Sequence, residues 1–392
     1  MKRLMFYCQH ILGIGHLIRS MEIAKGLTSD FEVYFVNGGE IIREYPIPVG
    51  IEVMNLPPLK TDAEFRALEA PEGFANVEAA MEFRRDRLLE ICDRLRPDVL
   101  MVELFPFGRR KFSPELIPLI ERARELGAKV VSSLRDIVVT KQDQERHEAK
   151  VCKLMNRYFD LLLIHGDPSF MPLERSFSRV ADLNCPVFYT GYVVQESQLF
   201  HQVPLPEPIP QPLILVSVGG GRFGHELLDC VADAAEQLGS RIPHQIQMFT
   251  GPFSPDDVVS RLQAIAQHRS NLTVERYTPN LLPYMIRADL SISMAGYNTT
   301  MNVLTTGVRS MLLPFTGNDD QEQTLRSERL DELGVVSVIR PEDLNPERFA
   351  QRVVEMLDQT PTSMTFDLNG VANTAHYIRE LIGLRSRQIV SV

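Results

Sequence analysis

The chain has no Cys-x-x-Cys pair; its five cysteines (Cys8, Cys92, Cys152, Cys185 and Cys230) are scattered and odd in number. That excludes a disulfide framework and a thiolate zinc site, and it suits a reducing compartment such as the cytoplasm. No histidine pair has metal-ligand spacing and no Asp-x-Asp stands near a strand end, so the chemistry expected here uses no metal and no other cofactor. No apolar run reaches about 18 residues, so no membrane span is expected, while peripheral attachment to a membrane face stays open. A basic excess is missing as well. With a net charge of −10, the chain has no surplus cations to displace counterions, which excludes a general nucleic-acid binder. Gly-x-Ser-x-Gly is absent, and with it the hydrolases built on a nucleophile elbow.

What is present is an ordinary globular composition, 44% hydrophobic and 23% charged, in 392 residues. That length suits two domains of similar size. Short apolar runs at Leu4–Tyr7, Glu32–Val36, Glu52–Asn55, Asp98–Val102, Lys129–Ser132 and Leu161–Ile164 alternate with helical or loop stretches, including a helix near Leu17–Leu27 and another at Ala75–Arg96. The start, MKRLMFYCQH, reads as a first strand and not as a signal peptide. Such alternation predicts a parallel sheet covered on both faces. Pro204, Pro206, Pro208, Pro210 and Pro212 then rule out helix or central strand and mark a linker. The strand–helix rhythm restarts at Leu213–Val218, Gln245–Thr250 and Leu272–Glu275. The expected division is therefore 1–200, a linker at 201–212, a second domain at 213–371 and a last segment at 372–392. Each half reads as a doubly wound α/β unit, with ligands expected at the carboxyl ends of its strands.

Three glycine-bearing turns carry the chemistry. In the first, Gly13-Ile14-Gly15-His16 joins the first strand to the first helix. Its glycines allow close backbone approach, and the positive potential of a helix start keeps an imidazole neutral, as a general base requires. The second, Gly219-Gly220-Gly221-Arg222-Phe223-Gly224, satisfies Gly-x-Gly-x-x-Gly. A nicotinamide-cofactor reading of it needs an acid ending the next strand, and that strand ends in Thr250-Gly251. In the third, a strand through Leu290, Ile292 and Met294 turns at Ala295-Gly296 into a helix opened by Asn298-Thr299-Thr300 and closed by Gly307. A helix start offers unpaired N–H groups and partial positive charge to a phosphate. One strand later, Met311–Leu313 and Pro314 lead to the polar loop Gly317–Gln321, where carboxylate and amides suit a sugar. A phosphate site and a sugar site one strand apart describe a nucleotide-sugar pocket.

The third turn resembles the donor signature of GT-B glycosyltransferases, in the branch that holds plant-type UDP-glycosyltransferases and the MurG-like enzymes of family 28. Gly296, Asn298, Thr299, Thr300, Gly307 and Pro314 match that pattern in order, and Gly13-x-Gly15-His16 matches the N-terminal motif. The resemblance implies an α/β fold of the GT-B type: two doubly wound Rossmann-like domains facing each other across a cleft, with the last helix packing back on the first domain. It makes His16 the base that deprotonates an acceptor hydroxyl, with Glu103, at a strand end, as its orienting acid. It assigns Gly15, Gly220, Gly221, Arg222, Gly296, Asn298, Thr299 and Thr300 to the donor and its diphosphate, Tyr277 and Thr278 to the nucleobase, and Asn302 to the ribose. Two acid–Gln pairs, Asp320-Gln321 and Glu322-Gln323, compete for the sugar, and Gln323 fits the pattern better. The chain departs from the family at Asn302, where an acid is usual, and at Met294, where plant-type relatives have histidine.

The function this implies is metal-independent, inverting transfer of a hexose or N-acetylhexosamine from a nucleoside-diphosphate sugar, UDP-linked by resemblance, to an acceptor hydroxyl, in the cytoplasm or at the inner membrane face. The acceptor, lipid-linked or a small molecule, is not legible. The basic, aromatic run Phe107-Gly108-Arg109-Arg110-Lys111-Phe112 reads either as a solvated loop or as a contact for an anionic head group or acceptor. Competing readings are a nucleotide-sugar hydrolase or epimerase of the same fold, and a non-catalytic nucleotide-sugar-binding subunit.

Overall fold

The computed structural model describes residues 1–11, 15–41, 47–61, 68–139, 143–195, 210–278, 280–317, 321–360, 362 and 364–384. The chain forms two compact units, Met1–Val194 with Phe366–Val392, and Gln195–Thr365. Most of the expected proline linker, 201–209, lies outside the described residues.

The first unit runs β1 (Lys2–Cys8), α1 (Gly15–Leu27), β2 (Phe31–Asn37), β3 (Ile51–Asn55), the short pair β4 (Lys60–Thr61) and β5 (Leu68–Glu69), then α2 (Val77–Leu95) and β6 (Val99–Glu103). It continues with α3 (Ser113–Glu125), β7 (Lys129–Arg135), α4 (Gln144–Tyr158), β8 (Leu161–His165) and β9 (Val187–Tyr189). Its seven-stranded sheet has the order β3-β2-β1-β6-β7-β8-β9 with every pairing parallel. Side chains alternate between faces as the pleat requires. Leu4, Phe6, Val99 and Met101 pack with α1; Met5, Tyr7, Leu100 and Val102 pack with α2 and α3. Both faces are covered, so these strands read as continuous apolar runs instead of alternating ones.

The second unit runs β10 (Leu213–Ser217), α5 (His225–Gly239), β11 (Gln245–Phe249), α6 (Asp256–Ala266), β12 (Leu272–Glu275), α7 (Leu281–Arg287) and β13 (Leu290–Met294). It closes with α8 (Tyr297–Thr306), β14 (Ser310–Leu313), α9 (Glu322–Glu332), β15 (Ser337–Val338) and α10 (Pro346–Asp358). Its six strands follow the order β12-β11-β10-β13-β14-β15, again all parallel. The final helix, α11 (Gly370–Leu381), belongs to the first unit. It buries Ala375 and Ile378 in the core beneath α1, and Arg379 reaches Asp30 at 2.8 Å.

Each sheet reverses its strand order once, between β1 and β6 in the first unit and between β10 and β13 in the second. Crevices outside the carboxyl ends of strands at such reversals are where doubly wound sheets bind ligands. The three glycine-bearing stretches of the sequence follow three of these four strands, β1, β10 and β13, and Glu103 ends the fourth. No described helix is long and apolar enough to cross a membrane.

Candidate functional site

In the first unit, α1 follows β1 along the chain, and the neighbour of β1 in the sheet, β6, ends at Glu103. Gly13 and Ile14 lie outside the described residues; Gly15 and His16 begin α1. The strand reversal brings His16 and Glu103 together: Nδ1 of His16 stands 2.6 Å from Oε1 of Glu103. Glu103 is not a solvated strand-end acid, because it is only 1% exposed. Burial pushes its carboxyl up, but the charges of His16, Arg19 and Arg109 outweigh that and hold it down at about 2. An ionised carboxylate takes the proton on Nδ1, which leaves the lone pair of His16 on Nε2. The ring keeps 17% exposure. Burial lowers the His16 pKa to about 4, helped by Arg109 and Arg135 and opposed by Glu103. The result is a neutral, oriented imidazole.

Sequence reasoning did not single out Arg19, which donates to the same Glu103 oxygen at 2.5 Å. It lies one turn beyond His16 on α1, and residues at that spacing share a helix face, so the signal was available. Nor did it single out His165 at the end of β8. That ring bridges Ser133 Oγ (2.8 Å, from Nε2) and Thr190 Oγ1 (2.9 Å, from Nδ1), and burial holds its pKa down at about 3. This neutral histidine ties the carboxyl ends of β7, β8 and β9 together behind the Glu103 pair. A further buried group, centred on Arg84 of α2, holds the end of β1: its Nη2 donates to Gln9 Oε1 at 2.6 Å.

In the second unit, the loop after β10 folds tightly onto the loop after β11. Gly221 has φ +82°. A Cβ there would stand 2.5 Å from the Thr250 carbonyl and 2.9 Å from the Ser254 nitrogen. Gly221→Ala is therefore expected to destabilise this unit by roughly 2–5 kcal/mol, from strain plus overpacking, and a urea melt measures it. A cost under 1 kcal/mol would show that the loop shifts freely. Gly220 accepts from Phe253 N at 2.9 Å, and the guanidinium of exposed Arg222 lies 4.9 Å above the Phe253 ring. Met294, at the end of β13, packs beneath Gly224. It supports the loop at the position where plant-type relatives carry histidine.

Gly296 caps α8 with φ −61° and ψ 151°, and nothing lies within 4 Å of where a Cβ would be. Neither backbone conformation nor neighbours within its unit demand a glycine there. Asn298 and Thr299 are partly exposed in the first turn of α8. Thr300 is fully buried, and its hydroxyl donates back to the Gly296 carbonyl at 3.1 Å, bracing the helix start. Asn302 is 9% exposed. Before α7, Tyr277 is 39% exposed, while the Thr278 hydroxyl accepts from Asn280 N at 3.1 Å.

The two acid–Gln pairs separate. Asp320 lies outside the described residues. Glu322 is turned inward, 4% exposed, and its Oε1 accepts from Arg326 at 2.7 Å. Arg326 lies 5.2 Å from the Tyr297 ring, so the pair ties α9 to α8. The i,i+4 spacing, inside a helix that begins at Glu322, is the reason. Gln323 turns its amide oxygen to the Phe315 N–H at 3.0 Å, which places its side chain at the carboxyl end of β14. Among the described residues no cluster of His, Cys, Asp and Glu could hold a metal ion. A hollow of about 720 Å³, lined by residues that include Gln211, His244, Gln245 and Arg269, opens at the amino ends of β11 and β12, away from these turns.

Residues 213–375 match the glycosyltransferase family 28 C-terminal domain. A UDP-N-acetylglucosamine–N-acetylmuramyl-(pentapeptide) pyrophosphoryl-undecaprenol N-acetylglucosamine transferase of Bacillus cereus is 26% identical over 182 residues, 44% of this chain and 48% of that protein. The transferase of the same description from Prochlorococcus marinus is 24% identical over 238 residues, 59% of this chain and 62% of that one. The chain thus spans about half the length of the relatives it matches. Among solved structures, the calicheamicin glycosyltransferase CalG4 superposes over 100% of both chains with a TM-score of 0.63 at 16% identity. MurG of Acinetobacter baumannii gives 0.59 at 17%, covering 98% of this chain and 99% of that one. UGT2 of Phytolacca americana, in complex with UDP-2fluoro-glucose and pterostilbene, also gives 0.59 at 17%, covering 98% and 94%. At such identities the likeness establishes the fold, which is GT-B.

Proposed function

We propose that this chain, whose residues 213–375 belong to the glycosyltransferase family 28 C-terminal domain, is a glycosyltransferase that moves a hexose or N-acetylhexosamine from a UDP-linked donor to an acceptor hydroxyl. The observation that carries the reading is the His16–Glu103 pair, a neutral imidazole fixed in one tautomer at the strand reversal of a doubly wound sheet. Nε2 of His16 takes the proton of the acceptor hydroxyl as its oxygen bonds to the anomeric carbon. The bond to the diphosphate breaks, and a single displacement inverts the carbon. Charge developing on the diphosphate meets the N–H groups opening α8, which need no reorganisation to receive it. The open space over Gly296 lets a phosphate approach that backbone. Asn298 and Thr299 flank the same turn, with Gly220, Gly221 and Arg222 on the loop after β10. In this reading Tyr277 and Thr278 serve the base, Asn302 the ribose, and Gln323 the sugar, with Asp320 its competitor.

The sequence relatives are named for a pyrophosphoryl-undecaprenol-linked acceptor, and the Phytolacca complex holds the small molecule pterostilbene. An acceptor of either kind presents a hydroxyl that His16 can deprotonate. The lipid-linked case would bring the enzyme to a membrane face from the cytoplasm.

Thermal shift with UDP, GDP, dTDP and ADP tests the donor assignment. UDP at a hundredfold over its Kd is expected to stabilise the wild type by about 2.7 kcal/mol. Gly296→Val is expected to melt at the wild-type temperature, since its backbone and surroundings accept a side chain, yet to lose the UDP effect. Asn298→Ala is expected to weaken it. If no nucleotide shifts the wild type, or Gly296→Val responds fully, the donor is not at α8. Sugar release at an undiminished rate without any acceptor would favour the hydrolase reading. The intact base pair speaks against a non-catalytic subunit.

A further inference from the structure

Past Glu103 the backbone turns through two non-glycine residues in the left-handed region, Leu104 at φ +63° and Arg109 at φ +56°. Such residues are strained and persist only where their surroundings over-determine them. Here the surroundings are Phe105, Phe107 and Phe112, all 2% exposed or less. The Phe107 ring meets Phe177 at 5.1 Å, Ser132 Oγ donates to the Phe105 carbonyl at 2.8 Å, and Gly108 N donates to the Leu104 carbonyl at 2.7 Å. The rings of the basic, aromatic run are therefore anchors, while Arg110 and Lys111 keep contact with solvent, and Arg109 acts in the field of Glu103, His16, His10 and Cys8.

Arg109 has no hydrogen-bond or ion-pair partner among the described residues, and its Nε is buried without one. Glu103, whose field it shares, gives Oε1 to both His16 and Arg19, and its buried Oε2 makes no hydrogen bond to Arg109 or to any other group. Arg135, ending β7, adds a further positive charge to the same field. Arg109 as a whole is half-buried, but a charged guanidinium whose Nε is buried without an acceptor is costly, and a ligand anion is a natural completion of such a site.

Resting on the reading of His16 as the acceptor's base, we infer that Arg109 binds an anionic group, carboxylate or phosphate, that the acceptor carries beside its reacting hydroxyl. The acceptor then completes its own base. Arg109 and Arg135 oppose a proton on His16, and an anion seated on Arg109 offsets that opposition and makes Nε2 more basic.

The experiment follows the His16 imidazole titration by NMR in the full chain, in chloride and then with inorganic phosphate or acetate at equal ionic strength. Phosphate, acetate or both are expected to raise the midpoint by about one pH unit in the wild type. The same anion is expected to move the Arg109 Nε–H resonance, a readout that needs no variant. Arg109→Gln is expected to lose the midpoint shift and Arg109→Lys to keep most of it. A response to phosphate alone points to a phosphate-bearing acceptor, and a response to acetate to a carboxylate. An unmoved His16 or Arg109 resonance, or a shift that survives in Arg109→Gln, overturns the assignment. UDP stabilisation in the same samples reports on the transferase reading separately: if it persists while the anion effect is absent, only the role of Arg109 falls.

Discussion

Replacing His16 with alanine is expected to lower kcat by about a thousandfold, within the range a positioned general base supplies, while UDP stabilises the variant as it does the wild type. The reason is geometric. Glu103 holds Nδ1 at 2.6 Å and fixes the lone pair on Nε2, so the ring has one task and no substitute in the turn. Glu103→Gln is the finer test, because an amide can present its NH2 to Nδ1 and trap the lone pair on the wrong nitrogen. It is expected to lose about 10²–10⁴ in kcat. A His16→Ala enzyme with a tenth or more of wild-type kcat would remove the base from the mechanism.

The pH profile carries the same argument with a sign. Burial and the two arginines lower His16 to about 4, so the base is neutral above that value and the acid limb of kcat/KM falls near pH 4, not near 6.5. Glu103, held at about 2, stays ionised through that limb and adds no second one there. Glu103→Gln removes the influence that raises His16, so its limb moves to still lower pH. An anion bound at Arg109 does the opposite, and the limb in kcat, which reports the bound enzyme, is expected at higher pH than the limb in kcat/KM.

Much of this was legible in the residues, for stateable reasons. Strands buried on both faces read as unbroken apolar runs, so β1, β6, β10 and β13, the four at the strand reversals, were found within a residue or two of their ends. Two of the four edge strands, β9 and β15, of three and two residues, are too short for any periodicity to reveal. The position of Glu103 at a strand end was readable, but its burial was not, because that depends on Arg19 and His16 arriving from another element. Glu322 and Gln323 entered as one acid–Gln pair, with Gln323 preferred for the sugar. Only the helix start at Glu322 decides that one pairs inward with Arg326 while the other meets the end of β14. In the same way, nothing in Phe83-Arg84-Arg85 as a string distinguishes its two arginines. The apolar stripe of α2 does: Ala80, Met81, Leu88, Ile91 and Cys92 are spaced so that position 84 falls inside it.

That buried arginine yields the largest stability effect. Arg84 is 0% exposed and donates from Nε and Nη2 to the two oxygens of Glu115, each at 2.8 Å. Its Nη1 donates to the carbonyls of Gly38 (2.8 Å) and Pro57 (2.6 Å), just past the ends of β2 and β3, and its Nη2 to Gln9. One side chain thus satisfies polar groups beyond three strand ends, among them the start of the segment that delivers His16. Arg84→Met is expected to cost about 3–5 kcal/mol, because it leaves a buried carboxylate without its cation, together with a buried carbonyl and a partly buried one. The double variant Arg84→Met, Glu115→Met should recover part of that loss, since no uncompensated charge remains and the added apolar volume packs against Phe112. If urea melts show the double variant to be as unstable as the sum of the single ones, the carbonyl contacts dominate, not the ion pair. A cost below 1 kcal/mol for Arg84→Met alone would mean that water reaches Glu115, and that the end of β1 is held by its apolar neighbours and not by this arginine.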